Sequence, residues 1–265
     1  MRRFHCAALA AVAVTGVVSL ASAADLPVKA PIFKTPVTAP SYNWAGFYIG
    51  GNVGAGRARF NTSWNADPAF WGALLTPLLN AQGGTNNPTG VVAGGQVGYN
   101  FQSGPIVYGL EADFDYTGFS ATRDNSFSAI GFPPDIQHEE MSSHWLATVR
   151  GRLGVTPTQL SNFMIYGTGG LAIAQVKYFS QENDTLTSIT ETLDISKVRT
   201  GWAVGGGAEY AIDPRWIVRL EYLHVDLGTE TDTGVNSLRA DGGITRTISY
   251  KSDIVRVGLN YMIGK

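Results

Sequence analysis

Alternation of apolar and charged residues between Trp216 and Asp226 constrains the fold of this chain more than any other feature. The segment reads W-I-V-R-L-E-Y-L-H-V-D, so Trp216 and Leu220 fall on one face of a strand. Arg219 and Glu221 fall on the opposite face. The same alternation recurs in segments 105–117, 143–155 and 250–263. Because the chain also begins with an export signal, the pattern predicts a closed barrel with its apolar face toward lipid and its charges inside.

The first 23 residues have the features of a secretory signal peptide. Two arginines precede an apolar run from Ala7 to Leu20, and residues 21–23 read A-S-A, a typical cleavage site. We therefore expect residues 1–23 to be removed after export. The only cysteine, Cys6, would leave with this segment, so the mature chain would have no disulfide.

Net charge and hydropathy exclude several classes of protein. The predicted signal peptide carries two of the 19 basic residues and no acid, which leaves 17 basic against 21 acidic residues, a net charge of −4. A chain of this charge gives no reason to expect a nucleic-acid partner. The mean hydropathy is close to zero, which is too low for a helical membrane protein but normal where only alternate residues face lipid.

Eight strands of at least ten residues are predicted after residue 43. Their approximate limits are 44–56, 90–102, 105–117, 143–155, 163–176, 199–212, 215–228 and 250–263. Short gaps alternate with long ones at 57–89, 118–142, 177–198 and 229–249. Short periplasmic turns and long external loops are typical of transmembrane barrels. We predict an all-β, eight-stranded antiparallel transmembrane up-and-down barrel over 44–265 with both chain ends in the periplasm.

Residues 24–43 form a Pro-rich segment between the predicted cleavage site and the barrel. Four prolines at nearly regular intervals favour an extended spacer without a core of its own. A simple periplasmic tether is the preferred interpretation, and a contact with the cell wall stays open as the alternative.

Nine charged residues share the face that the alternation turns toward the lumen. They are Glu111, Asp113, Asp115, Arg150, Arg152, Glu209, Arg219, Glu221 and Arg256. An arginine at mid-depth on the lipid face costs about 2–4 kcal/mol, so the four arginines should point inward, where five carboxylates can pair with them. An eight-stranded barrel is just wide enough to be filled by side chains, which favours a polar plug. A narrow ion path or gated pore is the alternative, because inward glycines leave room for water.

Aromatic residues cluster at the ends of the predicted strands that lie beside the short turns. They are Phe47, Tyr99, Phe101, Tyr108, Phe163, Tyr210, Trp216 and Tyr261. Aromatic girdles mark the membrane–water interface of transmembrane barrels, so we predict one girdle here. The alternative is that aromatic residues are simply frequent in strands.

The first long gap, residues 57–89, is rich in large apolar residues for a loop. Trp64, Phe70 and Trp71 are candidates for a contact surface, because exposed apolar residues in loops can mark partner sites. A short helix folding over the barrel mouth is the other interpretation of this gap.

Two groups of histidines and acids are candidates for metal binding or catalysis. Residues 138–144 contain two histidines and two glutamates, which are possible metal ligands, but their spacing matches no established site and a solvated loop is favoured. His224 and Asp226 share a face near the outer rim, where a rim histidine is favoured over a catalytic pair. The sequence therefore predicts no enzyme, no metal and no cofactor.

Four blocks in a fixed order carry a resemblance to a known family. After Asp25-Leu26-Pro27 and the Pro-rich spacer come W-A-G-F-Y-I-G at 44–50, Y-G-T-G-G-L-A at 166–172, W-A-V-G-G-G-A-E-Y at 202–210 and V-G-L-N-Y at 257–261. The chain thereby resembles the alphaproteobacterial Omp25/Omp31-type outer-membrane proteins. The resemblance implies a small OmpA-like barrel of a Gram-negative cell, with roles in envelope integrity and surface antigenicity, and host interaction or haem binding in some members.

One departure concerns the last residues. Barrels of this kind usually end on an aromatic residue that the assembly machinery is thought to read, whereas here the alternation runs through Ile263 to Lys265. We expect the chain to insert with reduced efficiency.

The sequence as a whole predicts a structural barrel of the cell outer membrane with a plugged polar lumen. Its expected partners are outer-membrane lipid and lipopolysaccharide, the barrel assembly machinery, and host or surface ligands of the loops. A narrow porin-like channel and an adhesin or haem-binding surface protein are the alternatives.

Overall fold

The computed structural model describes residues 42–127, 135–184, 189–233 and 244–265. The predicted signal peptide, 1–23, lies outside the described residues, and so does the predicted spacer except for its last two residues.

Nine antiparallel strands and one helix make up the described residues. In chain order they are β1 (Gly46–Ala66), α1 (Pro68–Asn80), β2 (Gly84–Asn86), β3 (Thr89–Ser103), β4 (Ile106–Phe127), β5 (Asp135–Val155), β6 (Phe163–Asp184), β7 (Ile189–Ala211), β8 (Trp216–Thr233) and β9 (Ile244–Ile263). Each long strand pairs with its neighbours along the chain, and β1 also pairs with β9, which closes the sheet. The three-residue β2 pairs only with β1. The predicted all-β barrel of eight long strands is confirmed.

The two faces of the barrel wall follow the alternation of the sequence. On β8, Trp216 and Leu220 are 41% and 54% exposed, whereas Arg219 and Glu221 are 2% and 1% exposed. Closure leaves no free sheet edge where the outer face of the barrel is apolar, so the backbone hydrogen bonds are made within the wall. The apolar outer face and the polar inner face are the arrangement that a lipid environment requires.

The strands extend much further than the sequence pattern predicted. β1 continues to Ala66, β4 to Phe127, and β6 and β7 pair from Phe163–Tyr210 to Asp184–Ile189. The predicted long loops are therefore largely strand. We call this end of the barrel the extended end, and we call the opposite end, where short connections join the strands, the turn end. The prediction was wrong here because outward side chains beyond the apolar band are polar, which removes the apolar half of the alternation.

A seam between β7 and β8 interrupts the wall at the extended end. Their ladder stops at the pair Trp202–Asp226, where β8 bulges at Gly228, whose φ is 71°. Beyond this point the two strands contact each other through side chains, with Lys197 Nζ 2.6 Å from Glu230 Oε1. The seam thus replaces backbone hydrogen bonds with ion pairs.

Helix α1 follows β1 directly. Asp67 caps its first turn by accepting from the Ala69 N–H, and Pro68 begins the helix, where its missing N–H is not needed. Gly72, with a φ of 74°, breaks the helix in its middle. Among the described residues, no helix has the length and apolar character needed to cross a membrane.

Candidate functional site

The turn end of the lumen is closed by a floor built around Trp44. This side chain is fully buried, and its indole Nε1 donates to the backbone oxygen of Ser161 at 2.9 Å. The backbone N–H of Tyr42 donates to Ser161 Oγ at 3.1 Å, so the residues that precede β1 cross the barrel mouth. The buried apolar side chains of this floor are Trp44, Tyr48, Val107, Met164, Tyr166, Ala211, Ile217 and Met262.

Above the floor, Glu111 is the centre of an ionic layer. Its carboxylate lies 2.5 Å from Arg219 Nη1 and 2.7 Å from Arg150 Nη2. The Tyr48 hydroxyl donates to the same carboxylate at 2.7 Å, and Arg152 Nη1 lies 3.6 Å away. Glu111 comes from β4, the arginines come from β5 and β8, and Tyr48 comes from β1, so this one residue ties opposite sides of the barrel together.

Arg150 and Arg256 continue the layer toward the extended end. Arg150 lies 2.6 Å from Asp113 and 3.2 Å from Glu221. Arg256 donates to Glu221 through Nε at 2.7 Å and to Asp113 through Nη2 at 3.0 Å, and it also pairs with Asp115. All five side chains are buried. Each arginine therefore meets at least two carboxylates, which is the arrangement that buried charges need.

Glu209, the ninth residue of the predicted lumen set, forms its ion pair near the floor. Glu209 lies 2.8 Å from Arg152 Nη2, and the Arg152 guanidinium covers the Tyr166 ring at 4.3 Å. The structure thus brings all nine predicted lumen residues into one buried group. Sequence reasoning missed Tyr48 and Tyr166, whose hydroxyls donate to Glu111 and Glu221, because it assigned strand aromatics to the lipid face.

A second apolar layer closes the lumen beyond the ions. Phe60 and Tyr250 meet edge to face, with ring centroids 5.0 Å apart. The cluster around them comprises Ala58, Phe60, Val92, Phe119, Met141, Leu146, Ala172, Ala174, Val176, Tyr178, Ala203, Leu223, Val225, Leu227, Ile248, Tyr250 and Ile254. The charged layer is therefore enclosed between two apolar ones.

Trp64, which was predicted to be part of an exposed contact surface in a loop, is buried. This residue lies on β1, is 4% exposed and stacks beneath the Arg246 guanidinium at 4.3 Å. It points inward because it shares strand parity with the buried Phe60. Phe70 and Trp71 belong to α1, but their side chains lie outside the described residues. The interpretation of Trp64 as an exposed contact residue was wrong, since residues 57–66 form a strand rather than a loop.

Another ion pair of the extended end lies in a range that was predicted to be loop. Arg123 on β4 meets the buried Glu139 on β5 at 2.8 Å, and the Tyr178 hydroxyl donates to Glu139 at 2.9 Å. Alternation within 135–143 is the signal that would have revealed it, because Glu139 shares an inward parity with Gln137 and Met141.

The predicted girdle residues lie on the outside at the turn end. Phe101 contacts Tyr99 at 4.7 Å and Tyr108 at 5.4 Å between ring centroids, and Trp216 contacts Tyr261 at 5.0 Å. Phe163 and Tyr210 are paired in register across β6 and β7, and Phe47 on β1 is 45% exposed.

The histidine groups do not converge on a metal site. His138 contacts Asp124 at 2.5 Å and Glu140 at 3.1 Å on the outer surface, while Glu139 points inward. Hydrogen bonds to Glu140 and Asp124 raise the pKa of His138 above its ordinary value. Within the part of the chain that the structure describes, no three histidine, cysteine or acidic residues cluster as metal ligands would.

His224 belongs to a different arrangement at the rim. Its Nδ1 lies 2.7 Å from Asp253, which also accepts from the Tyr222 hydroxyl at 2.6 Å. Asp226 instead pairs with Lys251 at 3.0 Å. His224 and Asp226, which the sequence suggested as a pair, therefore have separate partners on β9.

The family model and the curated relatives that match this chain are those of outer-membrane proteins. The family described as outer membrane protein beta-barrel domain matches residues 10–262. The chain is 34% identical over 242 residues to the 31 kDa outer-membrane immunogenic protein of Brucella melitensis biotype 1, covering 91% of this chain and 92% of that protein. It is 30% identical over 214 residues to the 25 kDa outer-membrane immunogenic protein of Brucella ovis, covering 80% and 85%. Among solved structures, the outer membrane protein OprG of Pseudomonas aeruginosa aligns with a TM-score of 0.46 at 14% identity, covering 82% of this chain and 97% of that one.

Proposed function

This chain belongs to the outer-membrane β-barrel protein family, and on that premise we propose that it is a structural, non-conducting barrel that displays its extended end at the cell surface. The family resemblance predicted from four sequence blocks is confirmed, and the protein is an outer-membrane protein. The proposal concerns what such a barrel does there.

The single observation that carries the proposal is the continuous ionic layer across the lumen. Glu111 and Glu221 together contact four arginines that come from β5, β8 and β9. A conducting path would have to separate these pairs, and breaking one partner from a buried pair costs about 3–5 kcal/mol. A layer of this kind stabilises the barrel wall and obstructs the passage of ions through the lumen.

Two apolar barriers support the same conclusion. The floor around Trp44 lies on the turn side of the ionic layer, and the cluster around Phe60 and Tyr250 lies on the other side. An ion that crossed the lumen would need to pass all three. This arrangement favours the closed barrel over the porin-like alternative.

Surface display follows from the length of the wall and from the nature of the relatives. The outward side chains of β4 change from Phe114 and Tyr116 to Ser120 and Thr122, so the strand leaves the apolar band and continues into water. Two relatives are named as immunogenic outer-membrane proteins. We propose that this extended wall is the exposed antigenic part here too, with the turn end in the periplasm.

The proposal includes no catalytic role and no cofactor. The carboxylates that would be needed for acid–base work are engaged by arginines, as Asp113 is by Arg150 and Arg256. The expected partners are outer-membrane lipid and the barrel assembly machinery. An adhesive or haem-binding role of the surface has no specific feature of the described residues in its favour.

Planar-bilayer recording of the purified full chain tests the closed lumen. We expect no steady unitary conductance at low voltage. A stable open level whose ion selectivity changed in Glu111→Gln would contradict the proposal, because the ions would then pass through the ionic layer. A deletion strain should also become more permeable to bulky antibiotics, and it should regain resistance when the intact gene is returned.

A further inference from the structure

The seam leaves two sheet edges that face each other without a backbone ladder between them. β7 stays paired with β6 over residues 189–201, and β8 stays paired with β9 over residues 229–233. Above the pair Trp202–Asp226, no strand of the described residues pairs with the facing sides of β7 and β8. Free edges of this kind are templates for one more strand.

A bulge in β8 fixes the position of the seam. Gly228 has a φ of 71°, in the left-handed region that suits glycine, and a Cβ at this position would meet no atom within 4 Å. Its N–H donates to Asp226 Oδ1 at 2.8 Å, and Asp226 also pairs with Lys251 on β9 at 3.0 Å. The bulge is thus held from the β9 side, and the ladder to β7 ends there.

The seam begins where the outer face of the wall stops being apolar. Trp202, an outward aromatic residue of the type that marks a membrane interface, lies at its lower end. The exposed residues beyond it are mostly polar, such as Thr200 and Ser196 on β7 and Thr229 on β8. An open sheet edge is not tolerated in hydrocarbon but can be hydrated in water. A polypeptide dissolved in water can therefore reach these edges.

Ion pairs bridge the two edges through side chains. Lys197 Nζ lies 2.6 Å from Glu230 and 3.5 Å from Asp232, and Arg199 Nε lies 3.5 Å from Glu230. The side chains of Lys197, Glu230 and Asp232 are 47%, 34% and 36% exposed. Exposed ion pairs contribute little to stability, so a strand that brought its own acids would displace these at small cost.

The charges at the seam indicate what kind of strand fits the β7 edge. Lys197 and Arg199 lie at alternate positions of β7, and Glu230 and Asp232 lie at alternate positions of β8, with Thr231 between them. β8 thus supplies the charges of a pairing strand without its backbone hydrogen bonds. A strand with the same acid-x-acid pattern, in register with β7, would supply both.

We propose that the β7 edge of the seam binds an extended acidic segment of another polypeptide. The segment adds to β7 as an antiparallel strand and displaces Glu230 and Asp232 from Lys197 and Arg199. Backbone hydrogen bonds to β7 provide affinity, and the two cations select acids at alternate positions. In the orientation proposed above the site faces outward, but the pairing itself depends neither on that orientation nor on whether the lumen conducts.

Binding of a labelled peptide to the purified full chain in detergent tests the site. The probe has the core T-E-T-D-T, which is the sequence of residues 229–233, and the reference peptide has T-Q-T-N-T. Fluorescence anisotropy should show that the acidic peptide binds at least about tenfold more tightly, because its carboxylates form charge-assisted hydrogen bonds with Lys197 and Arg199.

Two variants of the seam should change the affinity in opposite directions. Lys197→Gln removes a cation from the edge and should weaken binding of the acidic peptide about tenfold. Glu230→Gln/Asp232→Asn removes the competing acids of β8 and should strengthen binding several-fold. Lys177→Gln is the matched control, because Lys177 is an exposed cation on the outer face of the neighbouring β6, and the affinity should not change.

N-methylated peptides separate strand addition from attraction between charges. An added strand turns the N–H groups of alternate residues toward β7, so methylation of at least one alternate set in the acidic peptide should abolish binding. The methylated peptides keep both carboxylates. Binding that survives methylation of either set would show that only charge attracts the peptide, and it would overturn the proposal.

Three further results would also overturn it. The first is no binding of the acidic peptide to the native chain or to Glu230→Gln/Asp232→Asn, and the second is equal affinity for Lys197→Gln and the native chain. The third is self-association of the chain in analytical ultracentrifugation that the acidic peptide reverses, which would assign the seam to a second copy. Heat-modifiable migration on gels verifies that each variant is folded, and conductance tests the closed lumen separately.

Discussion

Arg219 on β8 reaches across the lumen to Glu111 on β4, with 2.5 Å between Nη1 and the carboxylate. Their strands are not neighbours in the wall, so no backbone ladder connects them. The pair connects these two strands across the lumen, and the Tyr48 hydroxyl donates to the same carboxylate from a third strand.

Replacement of this carboxylate by an amide should destabilise the barrel strongly. Glu111→Gln keeps the shape of the side chain but leaves Arg219 and Arg150 short of a buried counter-charge, for which we expect a loss of about 3–5 kcal/mol. The temperature at which the compact form disappears on semi-native gels measures the effect. Glu140→Gln is the control, because Glu140 is 59% exposed and should change stability by less than about 0.5 kcal/mol. Equal transition temperatures for the two variants would show that the ionic layer does not stabilise the barrel.

The floor at the turn end should contribute stability independently of the ions. Trp44→Ala removes a fully buried ring and should cost about 3–5 kcal/mol. Trp44→Phe keeps most of the ring but removes the hydrogen bond to the Ser161 oxygen, and should cost about 1–3 kcal/mol. Both values come from denaturant midpoints in detergent.

Conductance gives a second readout for the floor. Because the ionic layer and the upper apolar cluster remain in place, Trp44→Ala should stay closed in planar bilayers. Steady current through Trp44→Ala, but not through the native chain, would mean that the floor alone seals the lumen.

How much the sequence could predict depended on where each strand meets lipid. Within the apolar band, one face must be apolar, so the inward positions of Arg219 and Glu221 followed from the alternation. At the extended end, water surrounds the wall and outward positions are polar. Arg123 pairs there with the buried Glu139, whose inward position is indicated by its parity with Gln137 and Met141 rather than by an apolar outer face.

Neutral polar side chains of the lumen were the other class that the sequence did not predict. Asn52 donates to Gln96 at 2.8 Å and to Asp115 at 2.9 Å, yet neither amide stands out in a glycine-rich strand. The interruption of the β7–β8 ladder also has no strong signal, because Gly228 is one of 32 glycines and most others are not at bulges.

The seam between β7 and β8 should be close enough to be cross-linked. Arg199 Nε lies 3.5 Å from Glu230 and Lys197 Nζ lies 3.5 Å from Asp232, so Val198 and Thr231, which are outward and between these pairs, should face each other. Val198→Cys/Thr231→Cys should form a disulfide under mild oxidation, visible as a gel shift that a reductant reverses. The only native cysteine, Cys6, lies in the predicted signal peptide and should not interfere.

A matched pair controls this experiment. Val198→Cys/Thr122→Cys places the second thiol on β4, which is not a neighbour of β7, and it should remain reduced within each molecule. Absence of the disulfide in the seam pair, with both thiols reactive toward maleimide, would show that ion pairs do not hold the strands together.

His138 should titrate above the ordinary histidine pKa of about 6.5. Glu140 and Asp124 raise its pKa by accepting hydrogen bonds from the protonated ring. Since the folded pKa is raised, this interaction favours the folded state fully at low pH, and the contribution is lost as pH rises through the folded pKa. The measurement is the ¹H–¹³C NMR titration of the ring, with Glu140→Gln expected to lower the midpoint and Lys177→Gln expected to leave it unchanged. A midpoint at or below 6.5, or one indifferent to Glu140→Gln, would mean that the two acids do not hold the ring in solution.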